Sequence, residues 1–139
     1  MKITGIASLL LRLALASGFL SAVASRLSLW DRQSSGWSNF LSYTAQVNSF
    51  APKSLVPTIA IASTILEAGL GIFLLIGFKT SYAAYGTASL ALLFALAMTY
   101  SFGIKEPLDY SVFVFSAGAF LLAGMPDCLW SIDALLAKK

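Results

Sequence analysis

Four apolar stretches dominate the pattern of hydrophobic and polar positions along the chain. They run over residues 3–25, 55–78, 81–104 and 108–125. Each approaches the roughly 20 residues that an α-helix needs to cross a hydrocarbon core of about 30 Å. The pattern therefore predicts one all-α domain over residues 1–139, an integral membrane bundle of four transmembrane helices. The first stretch also begins like a signal peptide, but its length and the charge of Arg12 within it disfavour that alternative.

Short polar links separate the last three stretches, at residues 79–81 and 103–107. Short links place consecutive helices side by side and antiparallel, as in an up-down bundle. After the fourth stretch, Pro126 and Asp127 predict a corner. The leucines and isoleucine that follow fall on one helical face, which predicts a short interfacial helix over residues 127–137.

The segment between the first two stretches, residues 26–57, is much longer and is rich in serine, asparagine and aromatic residues. It is too polar to span a membrane and too aromatic for a plain linker. It predicts a long aromatic loop at the mouth of the bundle, with a short helix around Gly36 to Val47. Trp37 and Tyr43 are expected to anchor this loop at the membrane interface, where such side chains are enriched.

Small residues recur every four positions in the third stretch, as at Ala83, Thr87, Ala91 and Ala95. Such spacing lets helix backbones approach closely within a membrane. The pattern favours tight packing inside the bundle. A seam between copies of the chain in a homo-oligomer is the alternative.

The composition agrees with a membrane protein, since 58% of the residues are hydrophobic and 11% are charged. A soluble domain carries about a quarter charged residues. The net charge is +3, but the nine basic residues are scattered along the chain, and none form a run or stripe that would follow a phosphate backbone. The expected contact is therefore the lipid bilayer and not nucleic acid.

The chain contains no histidine and one cysteine, Cys128. A single cysteine cannot form a disulfide within the chain, so an internal dithiol mechanism is excluded. Without histidine, the commonest ligand of haem iron, zinc and copper is missing, and no metal or haem is expected. Because no catalytic signature is present either, the chain is not expected to be an enzyme on its own.

Arg12 and Glu67 are the charges that lie within the first two apolar stretches. A charge near the centre of a bilayer costs about 2.5–3.5 kcal/mol on insertion scales, so each needs a partner. Both lie near the middle of their stretches, and adjacent antiparallel helices would bring them together. The pair is either a structural ion pair that sets the helix register or a polar site for a ligand headgroup, a quinone or a proton.

A second cluster of polar residues lies around the start of the fourth stretch. Lys105, Asp109 and Tyr110 would form the rim of a polar cavity that faces the aromatic loop. The alternative for Asp109 is structural, because a carboxylate in the first turn of a helix meets free N–H groups and the positive end of the helix dipole.

These segments resemble the DoxX family, small bacterial membrane proteins of four helices. The resemblance is carried by Leu11-Arg12-Leu13 with Gly18-Phe19-Leu20, by Glu67-Ala68-Gly69-Leu70-Gly71, and most specifically by residues 103–113. It implies a bacterial inner membrane protein and, through the family's name-giving member, an association with a quinone-linked oxidoreductase or stress-response complex. A quinone would then be contributed through a partner.

Two functions follow as hypotheses. The first is a non-catalytic membrane subunit that anchors or organises a membrane or peripheral protein partner. The second is a membrane-embedded binder or carrier of a small hydrophobic molecule such as a quinone, a lipid or a weak acid, which would enter beneath the aromatic loop.

Overall fold

The protein is a bundle of α-helices in a computed structural model that describes residues 2–125 and 128–139. No strand occurs in these described ranges. Two single turns of 3₁₀-helix, Asp31–Gln33 and Lys53–Leu55, flank the second helix. The helices in chain order are α1 (Ile3–Arg26), α2 (Gly36–Val47), α3 (Val56–Ile76), α4 (Thr80–Phe102), α5 (Lys105–Asp109), α6 (Val112–Ala123) and α7 (Ile132–Leu136).

Three helices, α1, α3 and α4, are long and apolar enough to cross a membrane. The shortest of them, α3, has 21 residues, which rise about 32 Å. The long lipid-facing side chains of these helices remain exposed, as a bilayer permits. The long helices predicted from the first three apolar stretches are therefore present.

The fourth apolar stretch differs from the prediction, because it forms two short helices and not one span over residues 108–125. The helical conformation is interrupted at Ser111, which adopts a left-handed backbone conformation with φ of 55°. Non-glycine residues rarely adopt this conformation, and it cannot continue a right-handed helix. The apolar part, α6, then has 12 residues and rises about 18 Å, well short of a hydrocarbon core.

The segment between α1 and α3 is largely helical, where a long loop was predicted. Its helix α2 has the bounds that the sequence suggested, Gly36–Val47. Thr44 and Val47 are buried against α3 and α4. Aromatic pairs along this contact include Tyr43 with Phe102, whose ring centroids lie 6.3 Å apart. Helix α2 therefore lies on the bundle and closes one of its ends.

The small residues of α4 pack inside the bundle. Ala83, Thr87, Ala91 and Ala95 are all buried, and α4 makes its most extensive contact with α6. The hydroxyl of Ser116 on α6 donates to the carbonyl of Ala88, 2.7 Å away. This burial is incompatible with the alternative of a homo-oligomer seam on that stripe.

Two glycines allow α1 and α3 to pack closely and set their antiparallel register. A Cβ at Gly71 would lie 2.9 Å from the Cγ of Leu20. At Gly77, which ends α3 with φ of 69°, a Cβ would lie 2.6 Å from the Nη1 of Arg12. Leu20 is thus level with Gly71, and Arg12 is level with the last residues of α3.

The C-terminal segment folds back onto this same end of the bundle. Its helix α7 has five residues in place of the helix expected over residues 127–137, and the corner predicted at Pro126 and Asp127 lies outside the described residues. The amide of Asp133 donates to the carbonyl of Gly77 at 3.0 Å. The carboxylate of Asp133 accepts from the amides of Lys79 and Thr80, each at 2.7 Å, and so caps α4.

These contacts act on the protonation of Asp133. Partial burial raises the pKa of this carboxyl, but the hydrogen bonds from Thr80 and Lys79 and the charge of Arg12 outweigh burial and hold its pKa below the ordinary value. A carboxylate at the N-terminus of α4 also complements the helix dipole. Asp133 is therefore ionised at neutral pH, which is the form that the cap requires.

We expect Gly77→Ala to destabilise the protein and Gly69→Ala to leave it unchanged or slightly more stable. The added methyl group at Gly77 meets the Cβ of Ser131 at 2.3 Å and is strained by the positive φ, whereas nothing lies within 4 Å of a Cβ at Gly69. The loss at Gly77 should exceed about 1 kcal/mol. Thermal unfolding in detergent measures both, and equal midpoints for the two variants would contradict the close contact of α3 with the C-terminal segment.

Candidate functional site

The buried charge of Glu67 is neutralised by Arg26. Glu67 lies in the middle of α3 and is 1% exposed, and its Oε1 accepts a hydrogen bond from the Nη2 of Arg26 at 2.9 Å. Arg26 is the last residue of α1. Its long side chain reaches across to this carboxylate on α3.

Arg26 is held by two further contacts. Its Nη1 donates to the hydroxyl of Thr64 at 3.0 Å, one turn before Glu67 on the same helix. Its guanidinium carbon lies 3.8 Å from the centroid of the Phe40 ring on α2, a cation–π contact that gains strength where water is excluded. The guanidinium thereby joins α1, α2 and α3 at one point.

Arg12 has different partners. It is 2% exposed, and its guanidinium donates to the backbone carbonyls of Leu129 at 3.2 Å and Trp130 at 2.7 Å. These carbonyls belong to the C-terminal segment that covers this end of the bundle. Its Nε is buried and has no hydrogen-bond partner among the described residues. Arg12 therefore fastens the C-terminal segment to α1.

The prediction that Arg12 pairs with Glu67 is therefore wrong, because the partner of Glu67 is Arg26. The prediction assumed that the two apolar stretches are aligned centre to centre, but the close packing at Gly71 and Gly77 shifts them. Arg12 lies level with Gly77, ten residues beyond Glu67 along α3, a separation of about 15 Å. Both residues are buried as expected, but in separate sites.

A small cavity lies beside Arg26, beneath α2. Its volume is about 130 Å³. Arg26, Phe40 and Phe94 line it, and its other polar lining residues are Tyr43, Thr44, Asn48 and Ser63. The space combines apolar walls with a few polar groups, as small-molecule sites do.

A larger groove lies beside this cavity, on the outer surface between α3 and α4. Its volume is about 650 Å³, and lipid-facing residues such as Leu93 and Tyr100 form its outer part. The groove and the cavity meet at four residues that line both, Asn48, Ile59, Ser63 and Phe94. The cavity beside Arg26 therefore lies next to a groove that faces lipid.

The predicted cavity rim does not line this space. Lys105 and Asp109 form an exposed ion pair one turn apart on α5, and Asp109 does not cap α6, whose preceding residue is Ser111. Tyr110 is exposed at the break between α5 and α6. These three residues lie at the same end of the bundle as α2 but are not among the residues that line the groove or the cavity.

The two predicted loop anchors lie on α2. The ring of Trp37 packs against Phe40 with centroids 5.6 Å apart, so it supports the ring that covers Arg26. Tyr43 lines the cavity. Burial raises the pKa of the Tyr43 hydroxyl, and Tyr110 and Glu106 nearby raise it further, so this hydroxyl keeps its proton and can donate a hydrogen bond.

Sequence reasoning missed Arg26 as the partner of Glu67. Arg26 follows the first apolar stretch directly and reads as an ordinary basic residue at a membrane edge. Two observations could have identified it. Glu67 needs a cation, and the long side chain of an arginine at a helix end can extend inward along the apolar surface. Ser63 lies one turn before Glu67 on the same face of α3, and this spacing was visible.

The described residues contain no group of three or more histidine, cysteine, aspartate or glutamate side chains placed to hold a metal ion. The site offers instead a guanidinium, hydroxyls and an amide, groups that hydrogen-bond to oxygen atoms of an organic ligand.

Comparison with known proteins identifies a family. The family model for DoxX matches residues 7–101, more than half of the chain. The match extends from the first turns of α1 almost to the end of α4, so it includes Arg26, Glu67 and α2. No curated protein and no solved structure matches the chain.

We expect the changes Arg26→Gln and Glu67→Gln to be coupled in their effects on stability. Each alone leaves a buried charge without its partner and destabilises the protein, while the two together cost less than the sum. The coupling energy should be about 1 kcal/mol or more, as for residues in direct contact. Thermal or denaturant unfolding in detergent of the four proteins of the cycle measures it.

The matched control is the same cycle with Arg12→Gln in place of Arg26→Gln. Arg12 and Glu67 are too far apart to interact, so their effects should add. Coupling in this second cycle, with additivity in the first, would reinstate Arg12 as the partner of Glu67.

Proposed function

The chain belongs to the DoxX family, and we propose that this membrane protein is a binder or carrier of a small amphiphilic molecule held between α2, α3 and α4. The observation that supports the proposal is that a lipid-facing groove lies directly beside a cavity at Arg26 and shares four lining residues with it. An apolar tail would lie in the groove, and a polar head would lie in the cavity. This assigns the chain to the second of the two functions inferred from its sequence.

The polarity of the walls supports this orientation. The outer groove is lined mainly by leucine, phenylalanine and alanine, which match an apolar tail. Polar side chains occur where the groove meets the cavity, at Ser63 and Asn48, and then at Arg26. Apart from the hydroxyl of Tyr100 in the outer groove, the hydrogen-bonding side chains therefore lie at the depth proposed for the head.

Helix α2 supports retention of the ligand. It covers the cavity from the side away from the lipid groove, with Thr44 and Val47 buried beneath it. The Phe40 ring on the same helix contacts Arg26. Because α2 packs on three other helices, it excludes water from the head of the ligand and strengthens each hydrogen bond there.

We expect Ser63→Leu to prevent retention of the ligand, because the larger side chain fills the junction of groove and cavity. Gly69→Leu is the matched control, since a side chain added there on the same helix meets open space. Native mass spectrometry of gently extracted protein measures how much small molecule each variant retains. Ser63→Leu should reduce occupancy at least tenfold, and Gly69→Leu should not.

The same proteins are compared by thermal unfolding, so that a loss of ligand is separated from a loss of fold. Wild-type protein that retains no amphiphile, or a folded Ser63→Leu variant that retains as much as wild type, would contradict the proposed function.

The role of accessory subunit is a second candidate, and a specific surface favours it. The outer face of α1 carries Ala14, Ser17 and Ser21 beside a shallow groove of about 770 Å³, which Trp30 closes at one end. Ser17 and Ser21 are exposed on this face. Small residues at this spacing admit a second transmembrane helix at close range, such as that of a quinone-linked oxidoreductase.

We expect the double change Ser17→Leu and Ser21→Leu to release a partner that co-purifies from native membranes in stoichiometric amount, because leucine fills the groove. Val114→Leu, on the exposed face of α6, is the control. Quantitative mass spectrometry of the purified complexes measures the partner. Equal amounts with both variants would exclude this face of α1 as the interface.

A further inference from the structure

We infer that the ligand head is a single uncharged six-membered ring that carries a hydroxyl or carbonyl oxygen, an inference that rests on the binding function proposed above. It separates one class of head from phospholipids, simple alcohols and carboxylic acids. Three features of the cavity support this inference: its volume, the balance of charge around the cavity, and the arrangement of its aromatic and polar walls.

The volume matches one ring. The cavity holds about 130 Å³, and an apolar protein cavity of about 150 Å³ binds benzene. A phospholipid headgroup with its glycerol is much larger than this space. The alkyl tail then continues through the junction at Ser63 into the groove of about 650 Å³.

The charge around the cavity is already balanced. Arg26 is paired with Glu67 at 2.9 Å, and among the described residues it is the one charged side chain that lines the cavity. A carboxylate head would add a third charge, next to a guanidinium that is already neutralised, and would lose its hydration on entry. The cavity therefore favours an uncharged head.

The walls suit a ring with a polar oxygen. The rings of Phe40 and Phe94 lie along the cavity and can pack against a flat head. Arg26 has five N–H donors, of which the hydrogen bonds to Thr64 and Glu67 account for two. The Ser63 hydroxyl donates to the carbonyl of Ala60 and keeps its oxygen as an acceptor. An oxygen on the ring thus meets both a donor and an acceptor.

The test compares three probes with the same alkyl chain, which are a para-alkylphenol, the primary alcohol and the fatty acid. Each is titrated against purified full-length protein in detergent, and binding is followed by native mass spectrometry. The phenol should bind at least tenfold more tightly than the other two. Equal binding of alcohol and phenol, or tightest binding of the fatty acid, would overturn the inference about the head and leave the proposed binding function intact.

Two variants test whether the ring of the ligand lies in the cavity. Val112 lines the cavity but not the groove, so Val112→Phe should fill the cavity and reduce the affinity of the phenol to that of the alcohol. Val114 on the same helix is 71% exposed, and Val114→Phe should change neither. Equal preference for the phenol in both variants would overturn the inference, and failure of all three probes to saturate wild-type protein would contradict the binding function itself.

Discussion

The arrangement of the bundle depends on the need to neutralise one buried carboxylate. Glu67 lies in the middle of an apolar helix, where an unpaired charge is costly. Its partner comes from the end of a neighbouring helix, and the arginine that supplies it also contacts Thr64 and Phe40. A single guanidinium therefore satisfies the carboxylate, holds α2 against the bundle and forms one wall of the cavity. Loss of the pair would disturb all three together.

The opposite end of the bundle has its own polar anchor. Arg12 binds two carbonyls of the C-terminal segment, and Asp133 from that segment caps α4. The bundle thus carries one buried arginine towards each end, with different tasks. At the end with Arg12, backbone carbonyls surround the guanidinium and the chain packs closely at Gly77. At the end with Arg26, the guanidinium lines a cavity that lies beside a groove on the lipid-facing surface.

The apolar pattern of the sequence was enough to predict an all-α membrane protein, because lipid-facing helices must be apolar over their whole length. The sequence pattern also located α2, since apolar residues recur at helical spacing between Gly36 and Val47. It could not give the partner of Glu67. That choice depends on how far α1 slides along α3, which is set by side-chain contacts at Gly71 and Gly77 across the two helices. The break at Ser111 was also not predicted, because a few polar residues at the start of an apolar stretch are equally compatible with the first turn of a span, whereas the backbone at Ser111 is left-handed.

The central claim is that Arg26 is the partner of Glu67 when the protein is in a membrane. Solid-state nuclear magnetic resonance in lipid bilayers tests it directly, with ¹⁵N-labelled arginine side chains and ¹³C-labelled glutamate carboxyls, and with Arg26→Lys and Arg12→Lys proteins to assign the signal. The account predicts a dipolar contact to the Glu67 carboxyl, as expected for a hydrogen bond of 2.9 Å, that disappears in Arg26→Lys and persists in Arg12→Lys. A contact that persists in Arg26→Lys and disappears in Arg12→Lys would contradict the account.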